Sequence, residues 1–211
     1  MTRPSLTLSA LLIAVTLPAL QGCFPVVATG VAVGVLAATD RRSVGTQTDD
    51  QTIEWKAGSQ LGEKLGKKAH VNVNVYNRKV LLTGEVPDEA ARLAASEITL
   101  KIANVQGVYN ELKIHAPTPL SSRSTDAYIT SKVKARFVDK GAFTPTHVKV
   151  VTEAGVVYLM GLVNEKEAAS AIQIARTTEG VRTVVNVIEL IPEAETKRID
   201  AARANSTDSK K

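Results

Sequence analysis

Apolar residues recur four apart at Ile53, Ala57 and Leu61, which is the spacing of one helix face. The pattern then switches to alternation at Val71, Val73 and Val75, with asparagines between them, and this predicts a strand. Asn77-Arg78 reads as a hairpin turn into the dense run VLLTGEVP at 80–87. The acidic, Ala-rich stretch DEAARLAASEI predicts a second helix with Ile98 and Ile102 facing inward, and a closing strand is predicted over 109–114. The whole order then returns. Ile129, Val133 and Phe137 mark a helix, Val148 and Val150 flank Lys149 in a strand, and Ala154-Gly155 is the turn. VYLMGLVN at 157–164, EKEAASAIQIA and a strand over 183–190 complete the second copy. Ile129 follows Ile53 by 76 residues, Gly161 follows Gly84 by 77, and Asn186 follows Asn110 by 76. A near-constant offset over whole units is the mark of a duplicated domain. Asp50 and Asp126 are the expected N-caps of the first helix in each copy.

The fold class is therefore α+β: two tandem αββαβ units, each with two helices packed on a small three-stranded mixed sheet. The expected boundaries are 49–116 and 124–191, with a linker at 117–123 that carries Pro117 and Pro119. Residues 192–211 read as a charged tail, partly disordered from Ala204 onward.

The N-terminus has a different character. Arg3 precedes an uncharged apolar run from Leu6 to Leu20, too short for the roughly 20 residues that span a bilayer. With Leu20-Gln21-Gly22 before the only cysteine, Cys23, this reads as a lipoprotein signal at 1–22 and a lipidated Cys23. Gln21 departs from the usual small or apolar residue there. Residues 23–48 would then be the acylated end and its tether.

Charge narrows the partners. The formal net charge is +5, which suits an anionic surface. Export and an aromatic content of 4% argue against nucleic acid. His70, His115 and His147 are not spaced as metal ligands, and there is no second cysteine, so neither a metal nor a cofactor is expected. No nucleophile elbow or phosphate loop is present, and no catalytic residue is expected.

The V-x-L-x-G element, the Ala-rich helix after it and the G-V…N strand, each present twice, resemble the BON domain, an αββαβ module of exported bacterial proteins. Together with the lipobox, the chain resembles the dual BON-domain outer-membrane lipoproteins of the DolP type. The resemblance implies a protein anchored in the outer membrane and facing the periplasm. Phe24 rather than aspartate after Cys23 fits that delivery. It also implies binding of anionic phospholipid through the second BON domain, maintenance of outer-membrane integrity and association with division sites. The alternative is a periplasmic adaptor whose partner is a periplasmic or outer-membrane protein, for outer-membrane assembly or cell-wall amidase control.

On a helical wheel Tyr128, Lys132 and Ala135 fall opposite the Ile129, Val133 and Phe137 stripe, with Arg136 at the edge. An exposed aromatic beside cations suits a bilayer interface, and the resemblance places lipid contact at Tyr128. The competing reading has Tyr128 covering the helix start and the cations as a solvated face. In the first copy Thr52 stands in its place, and Trp55 is expected to anchor the tether or fill the seam between domains.

Overall fold

The computed structural model describes residues 40–208. The signal, Cys23 and the apolar stretch 24–38 lie outside the described residues. Both expected units form. The first contains α1 (Val44–Leu65), β1 (His70–Tyr76), β2 (Lys79–Val86), α2 (Glu89–Leu100), β3 (Gly107–Asn110) and β4 (Lys113–Ile114). The second contains α3 (Leu120–Lys140), β5 (Val148–Glu153), β6 (Val156–Val163), α4 (Glu165–Arg176), β7 (Thr183–Asn186) and β8 (Glu189–Leu190). A closing helix, α5 (Glu193–Asp208), follows.

Each sheet is mixed. β2 pairs antiparallel with β1 and parallel with β3, and β6 repeats this with β5 and β7. The closing strand of each copy is broken, so that β4 and β8 continue it along β2 and β6. The repeated asparagine makes the break. Asn110 Oδ1 accepts the Leu112 N–H at 3.2 Å, and Asn186 Oδ1 accepts that of Ile188 at 3.0 Å. Such a local turn competes with the ladder at that residue.

The hairpin tips form where expected. Asn77 and Arg78 have φ of 51° and 62°, and Ala154 and Gly155 have 48° and 73°. Positive φ at both central residues defines the turn whose twist matches a two-residue hairpin.

Asp50 and Asp126 are not N-caps, because both helices begin earlier. Ser43 caps α1 by accepting the Thr46 N–H at 3.0 Å, and α3 starts at Leu120 after Pro119. The carboxylates instead hold the hairpin tips. Asp50 accepts the N–H groups of Asn77 and Arg78 at 2.8 and 2.6 Å. Asp126 accepts those of Ala154 and Gly155 at 2.9 and 2.8 Å. The two turn N–H groups face away from the ladder, and a buried carboxylate satisfies both.

Two further segments differ from the sequence reading. Residues 40–48 are built into the body rather than forming a tether, and the charged stretch after Pro192 is helical as far as Asp208. One guanidinium ties these segments together. Arg41, with its side chain 2% exposed, donates to Leu162 O at 3.0 Å, to both oxygens of Glu167 at 2.7 and 2.9 Å, and to both oxygens of Asp200 at 2.9 and 2.7 Å. These bonds use all five of its N–H donors. Burial opposes its charge, but the two carboxylates outweigh that and raise its pKa. Arg42 lies 4.0 Å above the Tyr76 ring and pairs with Asp40 and Asp50.

Each unit has a core between its helices and one sheet face. Ile53, Ala57 and Leu61 meet Val80, Leu82 and Val86 in the first, while Ile129, Val133 and Phe137 meet Val157, Leu159 and Val163 in the second. The opposite sheet faces pack on each other through Tyr76 and Leu81 on one side and Tyr158, Met160 and Val187 on the other. The described body is thus layered helices, sheet, sheet, helices. The central strands β2 and β6 are covered on both faces, which is why their sequences are apolar runs rather than alternations.

Candidate lipid-facing site

Helix α3 turns Ile129, Val133 and Phe137 into the core, so the residues opposite face solvent. The local fit is close. At Gly180, where φ is +92°, a Cβ would come within 3.1 Å of Ile129 Cγ1. A glycine there lets the loop after α4 pass directly over α3.

Tyr128 is 65% exposed, and Ala135 is also exposed. Lys132 lies one turn after Tyr128, with Nζ 5.4 Å from the ring centroid. The same ammonium donates to Glu179 Oε2 at 2.6 Å, and this bond lowers the Glu179 pKa. Tyr128 and Lys132 are therefore brought together as a cation–aromatic pair with a carboxylate beside them. Arg136 has a different position. Its guanidinium donates to Ile174 O at 2.9 Å, Thr178 Oγ1 at 2.7 Å and Thr177 Oγ1 at 3.0 Å. It binds the C-terminal end of α4, where a cation meets the helix dipole favourably.

Sequence reasoning missed Val138. It is 64% exposed and ends a stripe of Tyr128, Ser131, Ala135 and Val138 at spacings of three, four and three. That spacing was readable as one face. Beside it, α3 and α4 border a groove of about 550 Å³ lined by Arg136, Lys140, Ala142, Ala169 and Ile174. Lys134 and Lys140 are exposed on the same helix. In the first copy Trp55 is 72% exposed, and so does not fill the seam between the domains. Among the described residues, no helix is long and apolar enough to cross a membrane.

Comparison with known proteins agrees with the duplication. The BON domain family matches residues 49–116 and again 125–192. The chain is 36% identical to the outer membrane lipoprotein DolP of Haemophilus influenzae, over 90% of this chain and 100% of that one. It is 34% identical to a 21 kDa hemolysin of Actinobacillus pleuropneumoniae, over 72% of this chain and 79% of that one. It is 29% identical to the osmotically-inducible protein Y of Escherichia coli, over 68% and 73% of the respective chains. With both repeats matched and a relative aligned over its full length, the chain belongs to the BON-domain family, as a tandem two-domain protein of the DolP type.

Proposed function

We propose that this protein is an outer-membrane lipoprotein, acylated at Cys23 and facing the periplasm, that binds anionic phospholipid through α3 of its second BON domain. In this reading it helps preserve outer-membrane integrity, including at division sites, and works by binding rather than catalysis. The anchorage is supported by the Haemophilus relative, whose name is that of an outer membrane lipoprotein, and by the lipobox before Cys23. The lipid contact rests on one observation, the exposed Tyr128 ring with the Lys132 ammonium beside it. The ring can sit at headgroup level while the ammonium exchanges Glu179 for a phosphate. Ala135 and Val138 extend the apolar contact, and Lys134 supplies a further cation. Arg136 serves by holding α3 against α4.

The test is co-sedimentation of residues 40–208 with anionic and with neutral vesicles. Binding to the anionic vesicles that falls in Tyr128→Ala supports the reading. Equal indifference to both vesicle types rejects it.

A second reading, a periplasmic adaptor, has its own support. Trp55 stands exposed on α1 beside Gln51, Glu54 and Gly58, and a lone exposed tryptophan is the kind of residue that anchors protein interfaces. In-cell crosslinking separates the two readings. A protein partner lost in Trp55→Ala but kept in Tyr128→Ala favours the adaptor.

A further inference from the structure

On the face of β1 and β2 that turns away from α1 and α2, four polar side chains form a square. His70 stands opposite Glu85, and Asn72 stands opposite Thr83. Glu153, the last residue of β5 in the other domain, reaches onto this square. Its Oε2 accepts from Asn72 Nδ2 at 2.6 Å and from Thr83 Oγ1 at 3.2 Å. His70 Nδ1 lies 3.3 Å from Glu85 Oε2. One ligand-capable atom from each of His70, Glu85 and Glu153 lies within 4.8 Å of the other two.

The charges here are out of balance. Glu85 and Glu153 are 4% and 8% exposed. Among the described residues, the His70 imidazole is the only basic side chain paired with Glu85, and no Lys or Arg pairs with Glu153. Buried charges are normally paired or coordinate a metal. A single imidazole balances at most one of the two carboxylates, whereas a divalent cation balances both.

We propose that His70, Glu85 and Glu153 form a binding site for a divalent cation of the zinc class, which would join the two BON domains. One imidazole nitrogen and carboxylate oxygens are a donor set that zinc takes at about 2.0–2.2 Å. Tetrahedral coordination at such bond lengths puts ligand atoms about 3.4 Å apart. The 3.3 Å between His70 Nδ1 and Glu85 Oε2 already meets this. A small rotation of the Glu153 carboxylate brings in the third ligand, and water takes the fourth position. Asn72 and Thr83 remain as the donors that orient Glu153. The His70 side chain is 19% exposed, which gives the ion a path from solvent. Magnesium and calcium favour oxygen ligands in sets of six or more, so the imidazole selects against them.

Spacing along the chain could not reveal this set, since its members come from three strands and two domains. The second repeat has no counterpart. His147 follows His70 by 77 residues, but Leu162 follows Glu85 by the same 77.

The experiment is calorimetric titration of Zn²⁺ into the untagged, metal-stripped full chain in detergent, with Mg²⁺ and Ca²⁺ as comparators. We expect one equivalent of Zn²⁺ to bind and raise the thermal midpoint. Affinity should fall at least about tenfold in Glu85→Gln and in Glu153→Gln, and stay unchanged in His115→Gln. Both test variants keep the side-chain shape, and circular dichroism reports whether they fold. The visible absorption of Co²⁺ bound to the unaltered chain supplies a readout that needs no variant, and a tetrahedral spectrum is expected. Absence of Zn²⁺ binding at about 100 µM would overturn the proposal. So would Mg²⁺ binding as tight as Zn²⁺, zinc affinity that survives both substitutions in folded protein, or a six-coordinate Co²⁺ spectrum.

Discussion

Asp126 Oδ1 accepts the Gly155 N–H at 2.8 Å, so a carboxylate inside helix α3 holds the tip of the β5–β6 hairpin. Asp50 does the same for Arg78 in the first repeat, at 2.6 Å. Asp126→Ala leaves two turn N–H groups without their acceptor and should cost about 2–4 kcal/mol. Asp126→Asn keeps one acceptor oxygen and should cost less. Urea unfolding of the two variants checks the order.

Arg41 joins the segment before α1 to α4 and α5. Arg41→Ala removes five hydrogen bonds and leaves Glu167 without its cation. Breaking a buried ion pair costs about 3–5 kcal/mol, and since Asp200 is partly exposed we expect about 2–3 kcal/mol here. Arg41→Lys should recover little, because an ammonium cannot grip two carboxylates bidentately. Chemical denaturation measures both, and faster proteolysis of α5 in Arg41→Ala would identify the segment released.

The same cluster sets an acid limit. Arg41 holds Asp200 below the usual carboxylate range. For Glu167 burial works upward, but hydrogen bonds from Arg41 and Asn164 outweigh it and the net shift is also downward. A depressed folded pKa means that the unfolded chain takes up protons first. The stabilisation is therefore complete above the ordinary carboxylate pKa, about 4, and is lost as pH falls below it. Urea midpoints from pH 7 to pH 3 should drop at the acid end, and the drop should be shallower in Arg41→Ala.

Gly84 has φ of +108°, and a Cβ there would lie 2.1 Å from His70 O. The clash is with backbone of the paired strand, so it cannot be relieved by a side-chain rotation. Gly84→Ala should destabilise by more than about 2 kcal/mol or prevent folding. Gly161, whose Cβ would lie 2.6 Å from His147 O, should behave alike. Thermal melts of both variants, compared with Gly58→Ala in open space on α1, check the contrast.

Glu179 occupies the ammonium that the proposed lipid contact needs. Glu179→Gln should tighten binding to anionic vesicles by about fivefold, the worth of roughly one near-surface cation, and should leave neutral vesicles unaffected. The same co-sedimentation assay, repeated at high salt to abolish the gain, measures it.

The repeat, the strand order and the hairpin turns were legible because side-chain period reports local geometry. The glycine and asparagine landmarks were legible too, although their tasks were not. Asp50 and Asp126 looked like caps because a carboxylate ahead of an apolar stripe usually is one. Their true partners lie 27 to 29 residues away across the sheet. The packing of the two sheets was written in Leu81, Tyr158 and Met160, apolar residues on the strand face that a single-sided sheet would leave polar. Arg41 could not be assigned, since its carboxylates sit 126 and 159 residues further on. On α3, exposure of Tyr128 and Ala135 follows from the helical wheel, whereas the turn of Arg136 onto α4 depends on where a neighbouring helix ends.

The length of chain between an anchor and a domain limits how far the domain can stray from a bilayer. An acyl group on Cys23 would stand 17 positions before Asp40, the first described residue. Fully stretched, that is at most about 60 Å. A surface confined to so thin a shell meets headgroups at high local concentration, and an α3 contact too weak to hold a free protein would then suffice to orient a leashed one.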